Sequence, residues 1–225
     1  MTRTRTSGRG PLVTVAGVVV TALIVALPAP AHAALVADWE MNEVGTPPAT
    51  MADSSGGGHD GQPMGGIVGD GSTYTFDGTG VVDVADPDGT TLSPGSQDIT
   101  ITASIAFLTR PPAHDYDIVR KKPAGVKGMQ YRMEIMATGK AKCFFTGDSG
   151  NAAITAKPVL NDGQFHTISC TKTSSTIGIT VDAKAKTKNV VIGSIVNATD
   201  ISIGAKLPSG DDFVGSMDYV KLNYA

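Results

Sequence analysis

Several groups of residues in this chain have types and spacings that could do chemistry. Gly147-Asp148-Ser149-Gly150 has the form of a serine nucleophile in its turn, and a hydrolytic serine needs a histidine base and an acid that orients it. His59, His114 and His166 sit in no setting that would supply that base. The segment falls between Phe144-Phe145 and Ala152, where Asp-Ser-Gly reads as a turn. His166 shares the parity of Ile168 and has no second histidine at ligand spacing. It reads as a hydrogen-bonded core or sheet-edge residue. Glycoside hydrolysis would need two carboxylates about 5–9 Å apart across a cleft. The three glutamates are Glu40, Glu43 and Glu134, and Glu134 opposes the apolar face of its strand. Asp115 and Asp117 have alternate spacing but follow Pro111-Pro112 and read as loop.

Asp53-Ser54-Ser55-Gly56-Gly57-Gly58-His59-Asp60-Gly61 is a compact loop, too rich in Gly and Asx for a strand. Such loops gather carbonyls and carboxylates that suit a hard cation such as calcium, and they are also simply turns. Cys143 and Cys170 are the two cysteines. In an exported chain a disulfide is the default, closing a loop of about 28 residues worth about 3–4 kcal/mol; a catalytic thiol is the alternative. Trp39 alternates with apolar neighbours and reads as core rather than a sugar platform. Tyr116, beside Asp115 and Asp117 in the expected loop, is the best aromatic for stacking a sugar.

The elements that must position these groups are strands. Residues 1–33 stand apart: Arg3, Arg5 and Arg9 precede the uncharged run Leu12 to Leu27, and Ala31-His32-Ala33 fits a small-x-small cleavage site, the pattern of a secretory signal peptide. Residues 34–225 then form one domain, expected to be secreted, extracellular and monomeric. Removing the three arginines leaves 15 basic against 21 acidic side chains, a formal charge of −6. That balance excludes nucleic acid and anionic membrane as natural partners. Arg120-Lys121-Lys122, the largest basic run, reads as a solvated loop.

Within the domain, Ile99, Ile101, Ala103, Ile105 and Phe107 alternate with polar or small residues, and Tyr131, Met133 and Ile135 alternate with Arg132 and Glu134. Asn161-Asp162-Gly163 is a strong turn signal before a strand carrying His166, Ile168 and Cys170 on one face. Thr173-Ser174-Ser175 turns the chain into a strand with Ile177, Ile179 and Val181 on one face. No helical period is present. About a dozen short strands between turns predict an all-β, two-sheet antiparallel sandwich.

An ordered series of segments resembles the laminin G-like, concanavalin A-like jelly-roll domains. Leu35-Val36-Ala37-Asp38-Trp39 resembles the family's opening strand, Asp53 through Gly61 its Asp-Ser-Ser-Gly loop, and Tyr74-Thr75-Phe76-Asp77-Gly78 and Val82-Asp83-Val84 the next strands. Ile101 to Phe107, Leu160 to His166 and Phe213 to Leu222 complete the series. Phe165 stands where Trp is usual, a conservative core change, and Gly57 where Asn is usual. The resemblance implies a jelly roll with, in some members, a structural calcium near the chain ends. Asp218 shares the parity of Val220 and Leu222, which points it inward. A cation held by Asp53, the Gly57 carbonyl and Asp218 would satisfy it, as would a wet strand end. Sugar-cleaving relatives carry Glu-x-Asp-x-x-Glu on one strand, and no glutamate here lies in that pattern. These features imply a non-catalytic recognition module for a glycan, with an extracellular protein ligand as the alternative and a glycoside hydrolase third.

Overall fold

The computed structural model describes residues 1–2, 33–122, 128–208 and 210–225. The expected signal peptide, residues 1–33, lies outside them except at its ends. Period-two alternation becomes strand throughout the remainder, and no helix occurs among the described residues. The strands in chain order are β1 (Ala34–Trp39), β2 (Val44–Gly45), β3 (Gly61–Met64), β4 (Ile67–Asp70), β5 (Tyr74–Asp77) and β6 (Val81–Val84). Next come β7 (Ile99–Ala106), β8 (Tyr116–Lys121), β9 (Gln130–Ile135), β10 (Ala141–Thr146) and β11 (Asn151–Thr155). The last are β12 (His166–Lys172), β13 (Thr176–Val181), β14 (Lys184–Asn189), β15 (Ile201–Ile203) and β16 (Val214–Tyr224).

They form two antiparallel sheets. The nine-stranded sheet runs β14-β13-β12-β7-β16-β5-β4-β2, with β1 also paired to β16, and the seven-stranded sheet runs β11-β10-β9-β8-β15-β6-β3. The apolar faces pack together as one core. Ile99, Ile101, Ala103 and Ile105 of β7, Ile168 and Cys170 of β12, and Ile177, Ile179 and Val181 of β13 line it from one side; Tyr131, Met133, Ile135, Cys143 and Phe145 line it from the other. The Cys143–Cys170 disulfide joins β10 to β12, so it ties one sheet to the other, with Cα atoms 5.6 Å apart. Phe76, Phe107, Tyr116 and Phe213 meet edge to face at one end of this core, a geometry that lets the positive ring edge face the neighbouring π-cloud.

Besides the register shift between Leu35 and Ala37 in β1, two irregularities decide which side chains of β8 and β16 face where. The β8–β9 register shifts between Asp117 and Val119, and the β16–β7 register shifts between Met217 and Tyr219. Each is a β-bulge, an extra residue that resets the alternation beyond it.

Arg120 and Lys121 do not lie in a solvated loop. They end β8, and both are buried. Phe165 is not in the core but about half exposed. It precedes β12 in the turn, outside the alternation that buries Ile168 and Cys170.

Replacing Cys143 and Cys170 together by alanine removes the link between the sheets. The expected loss is about 3–4 kcal/mol of unfolding free energy, read from the midpoint of a urea titration under non-reducing conditions. A loss below about 1 kcal/mol would show that the unfolded chain is not appreciably restrained by this bond.

Candidate functional site

The outward face of the seven-stranded sheet carries a charged surface built by register. Direct cross-strand partners share a face, and here they form two rows. One row is Lys142–Glu134–Asp117 across β10, β9 and β8. The next is Phe144–Arg132–Arg120–Ser202–Asp83 across β10, β9, β8, β15 and β6. Gln130 and Thr146 pair just beyond. The β8 bulge makes this possible: Asp117 and Arg120 are three residues apart, yet both sit on the outer face, while Val119 and Lys121 turn inward. The middle of this face is withdrawn from solvent, with Asp117, Arg120, Gln130, Glu134 and Ser202 all buried. Its flanks are open, with Gln62, Met64, Asn151 and Ala153 exposed. We call this band across the strands, shielded at its centre and open at its rims, the trough.

Ion pairs hold the trough in shape. Arg120 Nη1 donates to Asp117 Oδ2 at 2.7 Å. Glu134 is paired with Arg132 on its own strand and with Lys142 Nζ at 2.6 Å, and Lys142 also reaches Asp115 at 2.8 Å. The Arg132 guanidinium lies 4.8 Å from the centre of the Phe144 ring, within cation–π range. Not every polar atom is satisfied. Asp83 Oδ1, Asp117 Oδ1, Gln130 Oε1 and Arg132 Nε are buried without a hydrogen-bond partner among the described residues. Four such atoms on one face are costly unless something supplies both donors and acceptors. At the β15 end the trough runs beside a pocket of about 470 Å³ lined by Lys122, Thr199, Asp200, Ser202, Leu207 and Pro208.

The other sequence-predicted groups are dispersed. Tyr116 is buried, donates to the Thr109 carbonyl and belongs to the aromatic core, so it offers no ring to a sugar. Asp117 lies in β8 rather than in a loop. Trp39 is fully buried and its indole N–H donates to the His59 carbonyl at 2.7 Å. Glu43 accepts the Tyr74 hydroxyl at 2.6 Å. Gly147 to Gly150 is the turn between β10 and β11, closed by the Gly147 N–H to the Gly150 carbonyl, and the Ser149 hydroxyl donates to Asp148 rather than to a histidine.

Asp53 and Gly57 lie together in one loop, and Asp218 lies on β16. Asp53 organises its own loop: Oδ1 accepts the Asp38 and Ser55 amides and Oδ2 the His59 amide, at 2.9, 2.9 and 3.0 Å. Gly57 passes so close to β1 that a Cβ there would stand 2.7 Å from the Val36 carbonyl oxygen. Asp218 lies toward the other end of β1, because Trp39 pairs with Val220 and the antiparallel run continues toward Met41. About five residues of strand, roughly 16 Å, separate Gly57 at Val36 from the level of Asp218, while Asp53 bridges to Trp39 and lies nearer. The β16 bulge puts Met217 and Val220 inward and leaves Asp218 half-buried on the outside, in a groove with Glu40, Asn42, Ser72, Tyr219 and Lys221. Among the described residues no three His, Cys, Asp or Glu side chains are grouped to hold a metal.

Two antiparallel sheets packed face to face define the class of protein: a concanavalin A-like β-sandwich. The chain belongs to the concanavalin A-like lectin/glucanases superfamily, whose Laminin_G_3 model matches residues 76–225. Among solved structures it is similar to domains LG4-5 of the mouse laminin alpha1 chain, at 20% identity and a TM-score of 0.52 over 67% of this chain; it spans 40% of the length of that laminin structure. It is also similar to domain 4 of AbnA, a GH43 extracellular arabinanase from Geobacillus stearothermophilus solved with arabinotriose. That likeness has 13% identity and a TM-score of 0.59, covering 86% of this chain and 93% of the other. At these identities the likenesses establish the fold. No functionally curated protein matches the chain in sequence.

Two titrating groups act in the same direction. Burial raises the Asp117 carboxyl to about 7; Arg120 opposes the rise and the neighbouring Glu134 adds to it. Burial works against a charged His166, but Asp182 at 3.0 Å and Asp162 at 3.1 Å outweigh it and hold its pKa above the usual value. In both cases the folded state keeps its proton to higher pH than the unfolded chain, so the stability it contributes is present at low pH and lost as pH rises through the folded pKa. The unfolding free energy is therefore expected to fall from about pH 4 to pH 7 through Asp117 and further above the ordinary histidine pKa of about 6.5 through His166. Urea titrations of His166→Gln and Asp117→Asn should each show a shallower fall. An unchanged slope in both variants would remove these residues as its source.

Proposed function

We propose that the chain is an exported, monomeric, non-catalytic domain that recognises carbohydrate along the trough of β10, β9, β8 and β15. The observation that carries this reading is the set of buried atoms at its centre that have no partner among the described residues, three acceptors and one donor: Asp83 Oδ1, Asp117 Oδ1, Gln130 Oε1 and Arg132 Nε. A hydroxyl donates and accepts at once, so a polyhydroxylated ligand, or water that it displaces, complements such a mixture. The Phe144 ring with Arg132 over it supplies an apolar and cationic flank. Export is supported by the disulfide, which needs an oxidising compartment, and by the signal-like residues 1–33. Among the described residues no helix is long and apolar enough to cross a membrane. Domain 4 of AbnA, solved with arabinotriose, gives the reading a sugar-bound example of the same sandwich.

Binding is favoured over hydrolysis because the two adjacent acids are engaged. Glu134 is shared by Arg132 and Lys142, and Asp117 is held by Arg120. An extracellular protein ligand is the second reading, favoured by β14, an edge strand exposed at every residue with Lys184, Lys186 and Lys188 alternating along it.

A glycan array followed by titration of the best oligosaccharide tests the proposal. Phe144→Ala and Arg132→Gln should each weaken binding about tenfold or more, equivalent to about 1.4 kcal/mol, while leaving the melting temperature near that of the parent. A chelator is expected to leave both binding and melting unchanged; calcium-dependent binding would instead support a cation held by Asp53, Gly57 and Asp218. Silence on every glycan would transfer the proposal to a protein ligand, and release of reducing sugar would establish hydrolysis.

A further inference from the structure

Opposite the trough, on the core side of the same sheet, lies a pair of groups that neither the fold nor sugar recognition uses. The β8 bulge turns Lys121 inward, beside Tyr131 of β9 and Ile201 of β15. Its ammonium Nζ stands 2.6 Å from Asp86 Oδ2, and the two side chains are 0% and 1% exposed. The other acceptor of Nζ is the Thr199 carbonyl. Asp86 Oδ1 is buried with no partner among the described residues. This ion pair is thus only half satisfied, in a place where desolvation costs several kcal/mol per charge.

Its setting is distinct from that of every other lysine–carboxylate pair among the described residues. Lys142–Asp115, Lys206–Asp211 and Lys221–Asp38 all keep a partner at least 20% exposed, and in Lys142–Glu134 the lysine is 20% exposed, so water solvates the charges. The other fully buried pair uses Arg120, whose guanidinium stays protonated and is no amine nucleophile. Burial lowers the pKa of Lys121 against the pull of Asp86, which brings the neutral amine within reach.

We propose that Lys121 and Asp86 condense into an intramolecular isopeptide bond. One proton passes from the ammonium to the carboxylate, leaving a neutral amine against a neutral acid. Nζ attacks Cγ and the Nζ–Cγ bond forms. The Cγ–O bond to the hydroxyl breaks, a second Nζ proton joins the departing oxygen, and water leaves. The third proton stays on the amide nitrogen and continues to donate to the Thr199 carbonyl. Nothing is oxidised or reduced, and all the protons come from the original ammonium. The cross-link joins the end of β8 to the segment after β6 across β15. Together with the Cys143–Cys170 bond it would leave the domain fastened both within one sheet and between the two.

The test is the mass of the purified full chain, denatured and reduced, referenced to its measured N-terminus. The chain is expected to be lighter than its sequence by one water, and a protease digest should yield a branched peptide joining Lys121 to Asp86, with no trypsin cleavage after Lys121. A full sequence mass overturns the proposal. So does a water loss mapped elsewhere, for example to a succinimide at Asp88-Gly89. Lys121→Arg keeps the charge but cannot form the bond and should show the full mass; if that variant fails to fold, the mapping of the parent chain decides the question alone.

Discussion

Each sheet of this domain carries its apolar side chains mainly on one face, and the structure depends on those two faces being hidden against each other. The apolar parity of β7, β12 and β13 meets that of β9 and β10 in a single core, and the disulfide between β10 and β12 holds the two layers together where they meet. The hydrophobic term supplies the drive. The covalent link acts mainly by limiting what the unfolded chain can explore. With the inner faces committed, only the outer faces and the loops remain for function.

On the seven-stranded sheet the outer face is far from an ordinary solvated surface. Its charges are withdrawn from water and paired in a defined order, Lys142 with Glu134 and Arg120 with Asp117. Such pairs recover little net stability once desolvation is counted, so their presence is better explained by what they position than by what they stabilise. They fix Arg132 over Phe144 and leave Asp117, Gln130 and Arg132 each with an atom that has no hydrogen-bond partner among the described residues. A surface that is ordered but not satisfied is suited to a polar ligand.

The same strand that builds the trough also sends a lysine into the core. In β8, Asp117 and Arg120 face outward while Lys121 faces Asp86, and one bulge accounts for both placements. A single extra residue therefore supplies the candidate site and the reactive pair behind it. The β16 bulge has the opposite effect: it removes Asp218 from the interior and with it the reason to expect a cation there.

What the sequence determined by itself was everything governed by local pattern. Strict alternation in Ile99 to Ala106 and in Gln130 to Ile135 identified the strands and their buried faces, Asn161-Asp162-Gly163 the turn before β12, and the shared apolar phase of Cys143 and Cys170 the bond between the sheets. Only the tertiary structure decided where the alternation breaks. Counting by twos from Val220 places Asp218 inside, and reading Arg120-Lys121-Lys122 as a charge run places it in water; both inferences fail at a bulge or at the strand beside it. A bulge depends on how two distant strands pair, and composition at one position does not encode that pairing. The gathering of Asp83, Asp117, Gln130, Arg132 and Ser202 on one face has the same origin, since residues from four separate strands become neighbours only through register.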